Sequence, residues 1–291
     1  MKPAPFLYFA PNSLDEALAL LAQYGDEGKV LAGGQSLIPT MNFRLAQPAV
    51  LIDLNRIAEL FYVRVQADYQ LQIGAMTRQR TIERDPLIAT HAPLLQATMP
   101  HIAHTQIRNR GTIGGSLAHA DPAAELPAVA LALNAQLCLR SQRGERWLAA
   151  RDFYLGLFTT ALAEDEILTE IVLPVLPPRT GWSIQEMARR HGDYALVGVA
   201  ATLTLDQQGR CTQANLALLS VGEGPVQAQQ AIKMLQGEHP TPALLAAAAE
   251  TTAQIDIDPT ADIHASVAFR RHLAQVLTRK ALTEAFERAK H

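Results

Sequence analysis

The sequence predicts an α+β protein in two parts, and three observations carry that expectation. Short apolar runs alternate with helical patterns from the start of the chain to about residue 173. A proline-rich stretch, Pro174-Val175-Leu176-Pro177-Pro178-Arg179-Thr180-Gly181, then interrupts every periodicity and marks a domain boundary. Beyond it, strand-like runs come first and helical ones after, which is the α+β order.

The elements follow in turn. Ser13-Leu14-Asp15-Glu16 has capping-box spacing before Ala17, Leu18, Leu20 and Leu21, and Gly25 stands where a helix ends, so the first element is a helix. Val30-Leu31-Ala32 reads as a short buried strand, and Val50 to Leu54 as another after Pro48. Phe61 to Val65 and Leu71 to Ala75 form a hairpin pattern around the polar tip Ala67-Asp68-Tyr69. Helical patterns run from Thr81 to Ile88 and from Pro93 to Ile102. Asp121-Pro122 offers a cap and a first helical residue, but Pro127 lacks a donor, so the regular helix carrying Val129, Leu131 and Leu133 is expected to begin near Glu125. Gln136 to Arg140 and Ile167 to Leu173 are strand-like. In the second part, Val197 to Leu205 and Ala214 to Val221 read as strands around a Gln207-Gln208-Gly209 turn, and Val226 to Leu235, Ala243 to Ala253 and Val267 to Phe286 as helices.

Two glycine-rich segments stand out, Ala32-Gly33-Gly34-Gln35-Ser36 and Gly111-Thr112-Ile113-Gly114-Gly115-Ser116. Adjacent glycines permit positive φ angles and let successive N–H groups approach an anion with no Cβ in the way. Two such turns folded together would grip both phosphates of a dinucleotide with uncharged donors, consistent with the absence of lysine or arginine inside either. Composition narrows the partners. With 25 basic and 28 acidic residues, a net charge of -3, there is no footprint for nucleic acid or an anionic membrane. Cys138 and Cys211 are too few for a cluster or a disulfide framework and read as small buried residues. No signal peptide or membrane span is evident, which points to the cytoplasm.

Competing motifs fare worse. A Rossmann reading, with Asp53 as the ribose acid, lacks the G-x-G-x-x-G spacing, and Pro39 comes too soon after the glycines, so Asp53 reads as a strand-end or turn acid. His101, His104 and His119 lack metal-ligand spacing, no G-x-S-x-G occurs, and neither cysteine is flanked by a base. Arg189-Arg190 and Arg270-Arg271 read as solvated pairs. No side-chain chemistry is indicated, which leaves the reaction to a bound cofactor, with no catalytic or metal-ligating residue in this chain.

Leu31-Ala32-Gly33-Gly34-Gln35-Ser36-Leu37, Thr112-Ile113-Gly114-Gly115-Ser116-Leu117-Ala118, Ala120-Asp121-Pro122-Ala123-Ala124-Glu125 and Arg189-Arg190-His191-Gly192-Asp193-Tyr194 together resemble the FAD-binding medium subunit of molybdenum hydroxylases, over nearly the whole chain. That family includes carbon monoxide, xanthine and nicotinate- or nicotine-type dehydrogenases. The resemblance implies a vanillyl-alcohol-oxidase-type FAD-binding domain over 1–175, with α/β subdomains of about 1–57 and 58–175, and a smaller α+β domain over 176–291. It implies that residues 32–36 and 112–116, with Gly111, hold the pyrophosphate and ribityl atoms, flanked by Leu31 and Leu37. Asp121 and Glu125 would accept hydrogen bonds from adenosine or ribityl hydroxyls. Ile102 and Ile107 would pack beside the adenine, Ile171 and Leu173 near the isoalloxazine, and Tyr194 over the ring. The implied task is electron transfer: a small subunit with two [2Fe–2S] clusters delivers electrons, and a large subunit holds the molybdenum cofactor and the organic substrate. Glu125 and Gln35 stand where relatives often carry aspartate and histidine, and Gln185 where NAD-reducing xanthine dehydrogenases carry a lysine, which leaves the final acceptor open. A free-standing flavin reductase or oxidase of the same fold, and a nucleotide-binding module without redox chemistry, are the alternative readings.

Overall fold

The computed structural model describes residues 2–68 and 70–291. Tyr69, at the tip of the expected hairpin, lies outside the described residues. The first layer comprises β1 (Leu7–Phe9), α1 (Leu14–Tyr24), β2 (Gly28–Leu31), α2 (Leu37–Asn42) and β3 (Val50–Asp53), its strands forming a parallel sheet in the order β1-β3-β2. Ser13 caps the helix, its Oγ accepting the Glu16 N–H at 3.2 Å, while the Glu16 carboxylate accepts the Asn12 N–H at 2.8 Å, one residue before the N-cap partner of a regular capping box. Leu14, Ala17, Leu18 and Leu21 of α1 bury against Val50 and Ile52.

The second layer begins with β4 (Val63–Val65) and β5 (Leu71–Gly74), then short helices α3 (Gln79–Arg84), α4 (Pro86–His91), α5 (Pro93–Thr98), α6 (Thr105–Arg108), α7 (Ile113–His119) and α8 (Glu125–Ala132). After these come β6 (Gln136–Ser141), β7 (Gly144–Ala149), α9 (Ala150–Phe153), a small hairpin of β8 (Tyr154–Gly156) and β9 (Thr159–Thr160), and β10 (Ile167–Leu173). The larger sheet is antiparallel in the order β4-β5-β10-β6-β7. The helix expected over 81–88 is two helices, because the residue before Pro86 is forced out of the helical region; Asp85 Oδ1 instead caps α4 through the Leu87 N–H at 2.8 Å. The helix expected over 93–102 stops at Thr98, and a tight turn over Met99–His101 leads to Ala103 at φ 43°, so His101 and His104 share no helical face. α8 begins at Glu125 as Pro127 requires, and all of its residues are buried.

The third layer is β11 (Thr180–Ala188), β12 (Ala195–Leu205), β13 (Cys211–Leu219) and β14 (Val226–Gln227), antiparallel in chain order, followed by α10 (Gln229–Leu235), α11 (Pro242–Thr251) and α12 (Val267–Ala289). β12 is buried over its whole length because both faces are covered: Ala200 meets the central core with α8 and the five-stranded sheet, and Val197, Val199, Ala201 and Leu203 meet the helices behind. Arg270 corrects one expectation. It is 7% exposed, and its guanidinium donates to the carbonyls of Leu196 and Ser220 and to Asp262 Oδ2 at 2.6 Å, fastening α12 to the sheet. Among the described residues no helix is long and apolar enough to cross a membrane.

Candidate functional site

The two glycine segments meet. The first leaves β2 at Leu31 and turns into α2; the second leads from α6 into α7. A Cβ on Gly33 would lie 2.5 Å from the Arg110 carbonyl oxygen and 2.8 Å from Gly111 Cα, and one on Gly115 would lie 2.7 Å from Thr112 Oγ1 and 3.2 Å from Ala32 Cβ. The segments therefore touch through backbone that only glycine allows. Within them, positive φ is confined to Gly34, at 72°. Close approach, not a left-handed backbone, is the reason for the other glycines.

Their N–H groups divide unequally. Among the described residues, those of Gly33, Gly34, Gln35, Ser36 and Leu37 reach no acceptor. In the second segment Gly111 donates to Ile107 O at 2.7 Å, Ile113 to Thr77 O at 3.1 Å, Gly114 to Ala75 O at 2.8 Å and Ser116 to Thr112 O at 3.2 Å. Gly115 donates to its helix cap, Thr112 Oγ1, at 3.1 Å. The first segment offers a row of unsatisfied amides, and in the second the amides of Gly111 and of Ile113 to Ser116 are already engaged.

A polar clamp holds both from behind. Asn55 Nδ2 donates to Ala32 O at 2.9 Å, and the Arg78 guanidinium donates to Asn55 Oδ1 and to Arg110 O. Asp53 takes the Asn55 N–H at 2.8 Å and the Tyr8 hydroxyl at 2.6 Å, the strand-end role read from its position. Burial, and then the charge of Arg110, lower the basicity of Arg78. Neither Asn55 nor Arg78 carries a local sequence signal, since each acts on backbone distant along the chain.

Helix α7, about 10 Å long by its rise per residue, leads from this cradle to a second cluster. Ala120 turns the chain at φ 53°, and Asp121 Oδ1 accepts the Ala123 N–H at 2.9 Å. Glu125 is 8% exposed, and burial followed by the charge of Asp121 pushes its carboxyl up to about 7. Tyr194 is 71% exposed on the rim; partial burial, then Asp121 and Glu125, raise its hydroxyl above the usual range. Glu186 of β11 was missed in the sequence. Its side chain is 5% exposed, its Oε2 has no hydrogen-bond partner, and burial, then Glu125, push it up to about 8. His101 Nδ1 stands 4.0 Å from that oxygen.

The apolar assignments fare differently. Ile107 is half-buried beside the second segment, and its carbonyl accepts the Gly111 N–H. Ile102 is 7% exposed within the central core. Ile171 and Leu173 are 1% and 3% exposed in the same core, where β10 is paired with β5 at both and with β6 at Ile171.

The family model described as the FAD binding domain in molybdopterin dehydrogenase matches residues 4–176. The chain belongs to this family. A second model, the CO dehydrogenase flavoprotein C-terminal domain, matches residues 182–285 of this flavoprotein-family chain. It is 40% identical over 290 residues to the 6-hydroxypseudooxynicotine dehydrogenase complex subunit alpha of Paenarthrobacter nicotinovorans, covering 100% of this chain and 97% of the relative. In structure it is similar to a chain of carbon monoxide dehydrogenase from Hydrogenophaga pseudoflava, at a TM-score of 0.96 and 37% identity with 99% of each chain covered. It is also similar to one of quinoline 2-oxidoreductase from Pseudomonas putida 86, at 0.93 and 39% with 100% of each covered. The family's cofactor fits what the geometry offers: a row of unsatisfied amides, two segments packed too closely for a Cβ at Gly33 or Gly115, and a buried carboxyl oxygen without a partner.

Proposed function

We propose that this chain is the electron-transferring FAD subunit of a cytoplasmic molybdenum hydroxylase, receiving electrons from a small [2Fe–2S] subunit and passing them to an external acceptor, while a large subunit carries the molybdenum cofactor and the organic substrate. The observation that carries this reading is the row of free amides from Gly33 to Leu37 set against the glycine-rich segment of Gly111 to Ser116. Oriented backbone dipoles neutralise a diphosphate without a cation. Ala32, Gly33, Gly34, Gln35 and Ser36 would bind it, with Leu31 and Leu37 bounding the row. Thr112, Gly114, Gly115 and Ser116 would shape the opposite side, and Ile107 would lie near the adenosine. Asp121 and Glu125 would accept hydrogen bonds from hydroxyl groups further along, and Tyr194 would cover the far end.

Bound FAD supplies redox chemistry that accepts electrons singly and gives them up singly or in pairs. The chain's own part is to bind, orient and exclude water. Arg78 and Asn55 keep the two segments in contact, and α8 and β11 close the far end from either side. The division at 175/176, with subdomains 1–57 and 58–175, belongs to the same proposal and is supported by matched segments ending at 176 and beginning at 182. Purified chain is expected to carry yellow, non-covalent FAD that dithionite bleaches, and to co-purify from its host with a cluster-bearing and a molybdenum-bearing partner. A colourless chain that cannot be reconstituted with FAD overturns the reading; substrate turnover by the isolated chain favours a free-standing reductase or oxidase.

A further inference from the structure

The guanidinium of Arg78 reaches Gly33 along two paths. One of its terminal nitrogens donates to Asn55 Oδ1, and Asn55 Nδ2 donates to Ala32 O at 2.9 Å. The other donates to Arg110 O, the atom that a Cβ on Gly33 would meet at 2.5 Å. The orientation of the Asn55 amide is settled by its neighbours, because arginine only donates and a backbone carbonyl only accepts. Arg78 is itself held in place. Its backbone lies opposite Thr112 in a β-bridge, with Gln79 N donating to Gly111 O at 2.9 Å and Ile113 N to Thr77 O at 3.1 Å, and its Cζ stands 5.4 Å from the centre of the Phe61 ring.

Peptide geometry and charge give those paths a direction. Ala32 O and the Gly33 N–H are the two ends of one peptide unit, and a hydrogen bond to the oxygen polarises the unit and strengthens the N–H as a donor. Gly33 begins the row of free amides, so the chain of bonds from Arg78 through Asn55 ends on a donor that reaches no acceptor. The other path is closed. The Gly111 N–H, at the far end of the Arg110 peptide, is spent on Ile107 O at 2.7 Å. Asp53 is the acid that meets this network, and its carboxylate takes the Asn55 N–H, one Asn55 Nδ2 hydrogen and the Tyr8 hydroxyl. Arg78 and the exposed Arg110 thus set two positive charges against one negative at the seam between the segments, and among the described residues neither arginine forms an ion pair. We propose that Arg78 is a positioning residue of the FAD site that acts through Asn55: its charge makes the Gly33 N–H a stronger donor and supplies the site's attraction for the diphosphate, with no cation touching the cofactor. The inference rests on the FAD reading above.

The test is an equilibrium titration of the full apo-chain with FAD, followed by flavin fluorescence in about 20 to 500 mM KCl, over which the screening length falls from roughly 20 to 4 Å. A thermal melt accompanies each variant. In the parent chain Kd is expected to rise about three- to tenfold over that range. R78Q, neutral but still able to donate to one of the two acceptors, should bind FAD about tenfold more weakly at low salt and lose most of the salt dependence. R78K keeps the charge and should keep most of that dependence, as should R110Q, altered on the exposed side of the seam. N55A should weaken FAD binding as much as R78Q does, and the double variant by no more than about twofold further, because both act on one chain of bonds. A folded R78Q chain with the parent salt dependence overturns the proposal and leaves Arg78 a structural clamp. Loss of the dependence in R78K or R110Q overturns it as well, a result that can be read even if R78Q does not fold, and so do R78Q and N55A losses that multiply in the double variant. A parent chain that binds no FAD at any salt concentration overturns the proposed function instead.

Discussion

Gly33 occupies a position where any side chain collides with backbone, because its missing Cβ would sit 2.5 Å from the Arg110 carbonyl. Gly33→Val is therefore expected to separate the two segments, costing about 1–3 kcal/mol of stability and most of the FAD affinity. Gly34→Ala meets only the flexible ends of Ile38 and Leu31 and mainly strains a φ of 72°. It is expected to cost about 1–2 kcal/mol, with weaker loss of FAD, as paired melts and titrations of the two variants will show. Glu186 gives a pH prediction. Its folded-state value of about 8 lies above the ordinary carboxylate value of 4.5, so the stability it contributes is complete below pH 4.5 and is lost as pH rises toward 8. Glu186→Gln should accordingly melt higher than the parent apo-chain at pH 8, by up to about 1.4 kcal/mol for each unit of the shift, and the gap should close at about pH 4.5. An equal gap at both pH values contradicts this.

At the scale of elements, α7 depends on its cap and its contacts rather than on its composition. Ile113-Gly114-Gly115-Ser116 has poor helix propensity, and the helix forms because Thr112 caps it and Gly114 bonds to Ala75. Thr112→Val should cost about 1 kcal/mol and loosen FAD, whereas Thr112→Ser should do neither. The same dependence explains why α7 was illegible in the sequence while α1, whose cap and apolar face are local, was plain. β11 was hidden likewise: it starts inside the proline-rich stretch, and its polar Ser183 and Gln185 find their partner, Glu284, on α12 and not along the strand. Where β11 meets α12, a Cβ on Gly181 would lie 1.8 Å from the Ala285 carbonyl oxygen. Gly181→Ala is expected to destabilise the C-terminal layer by about 2–4 kcal/mol, lowering the melting temperature with FAD present or absent.

Across the whole molecule, the sequence motifs located the cradle but not how it works. The glycine pairs are visible locally, yet which segment has free amides depends on Ala75 and Thr77 reaching the second one from another part of the fold. Arg78 and Asn55 were invisible for the same reason, since their roles exist only once distant backbone arrives. Ile102, Ile171 and Leu173, assigned to the cofactor by resemblance, lie in the packed central core. The central claim is that the first segment supplies the amides and the second packs against it. Residue-resolved amide hydrogen exchange with and without FAD tests it most directly: the account predicts new protection at Gly33 to Leu37 and little change at Ile113 to Ser116, which are already bonded. Unchanged exchange at Gly33 to Leu37 on saturation with FAD would contradict it.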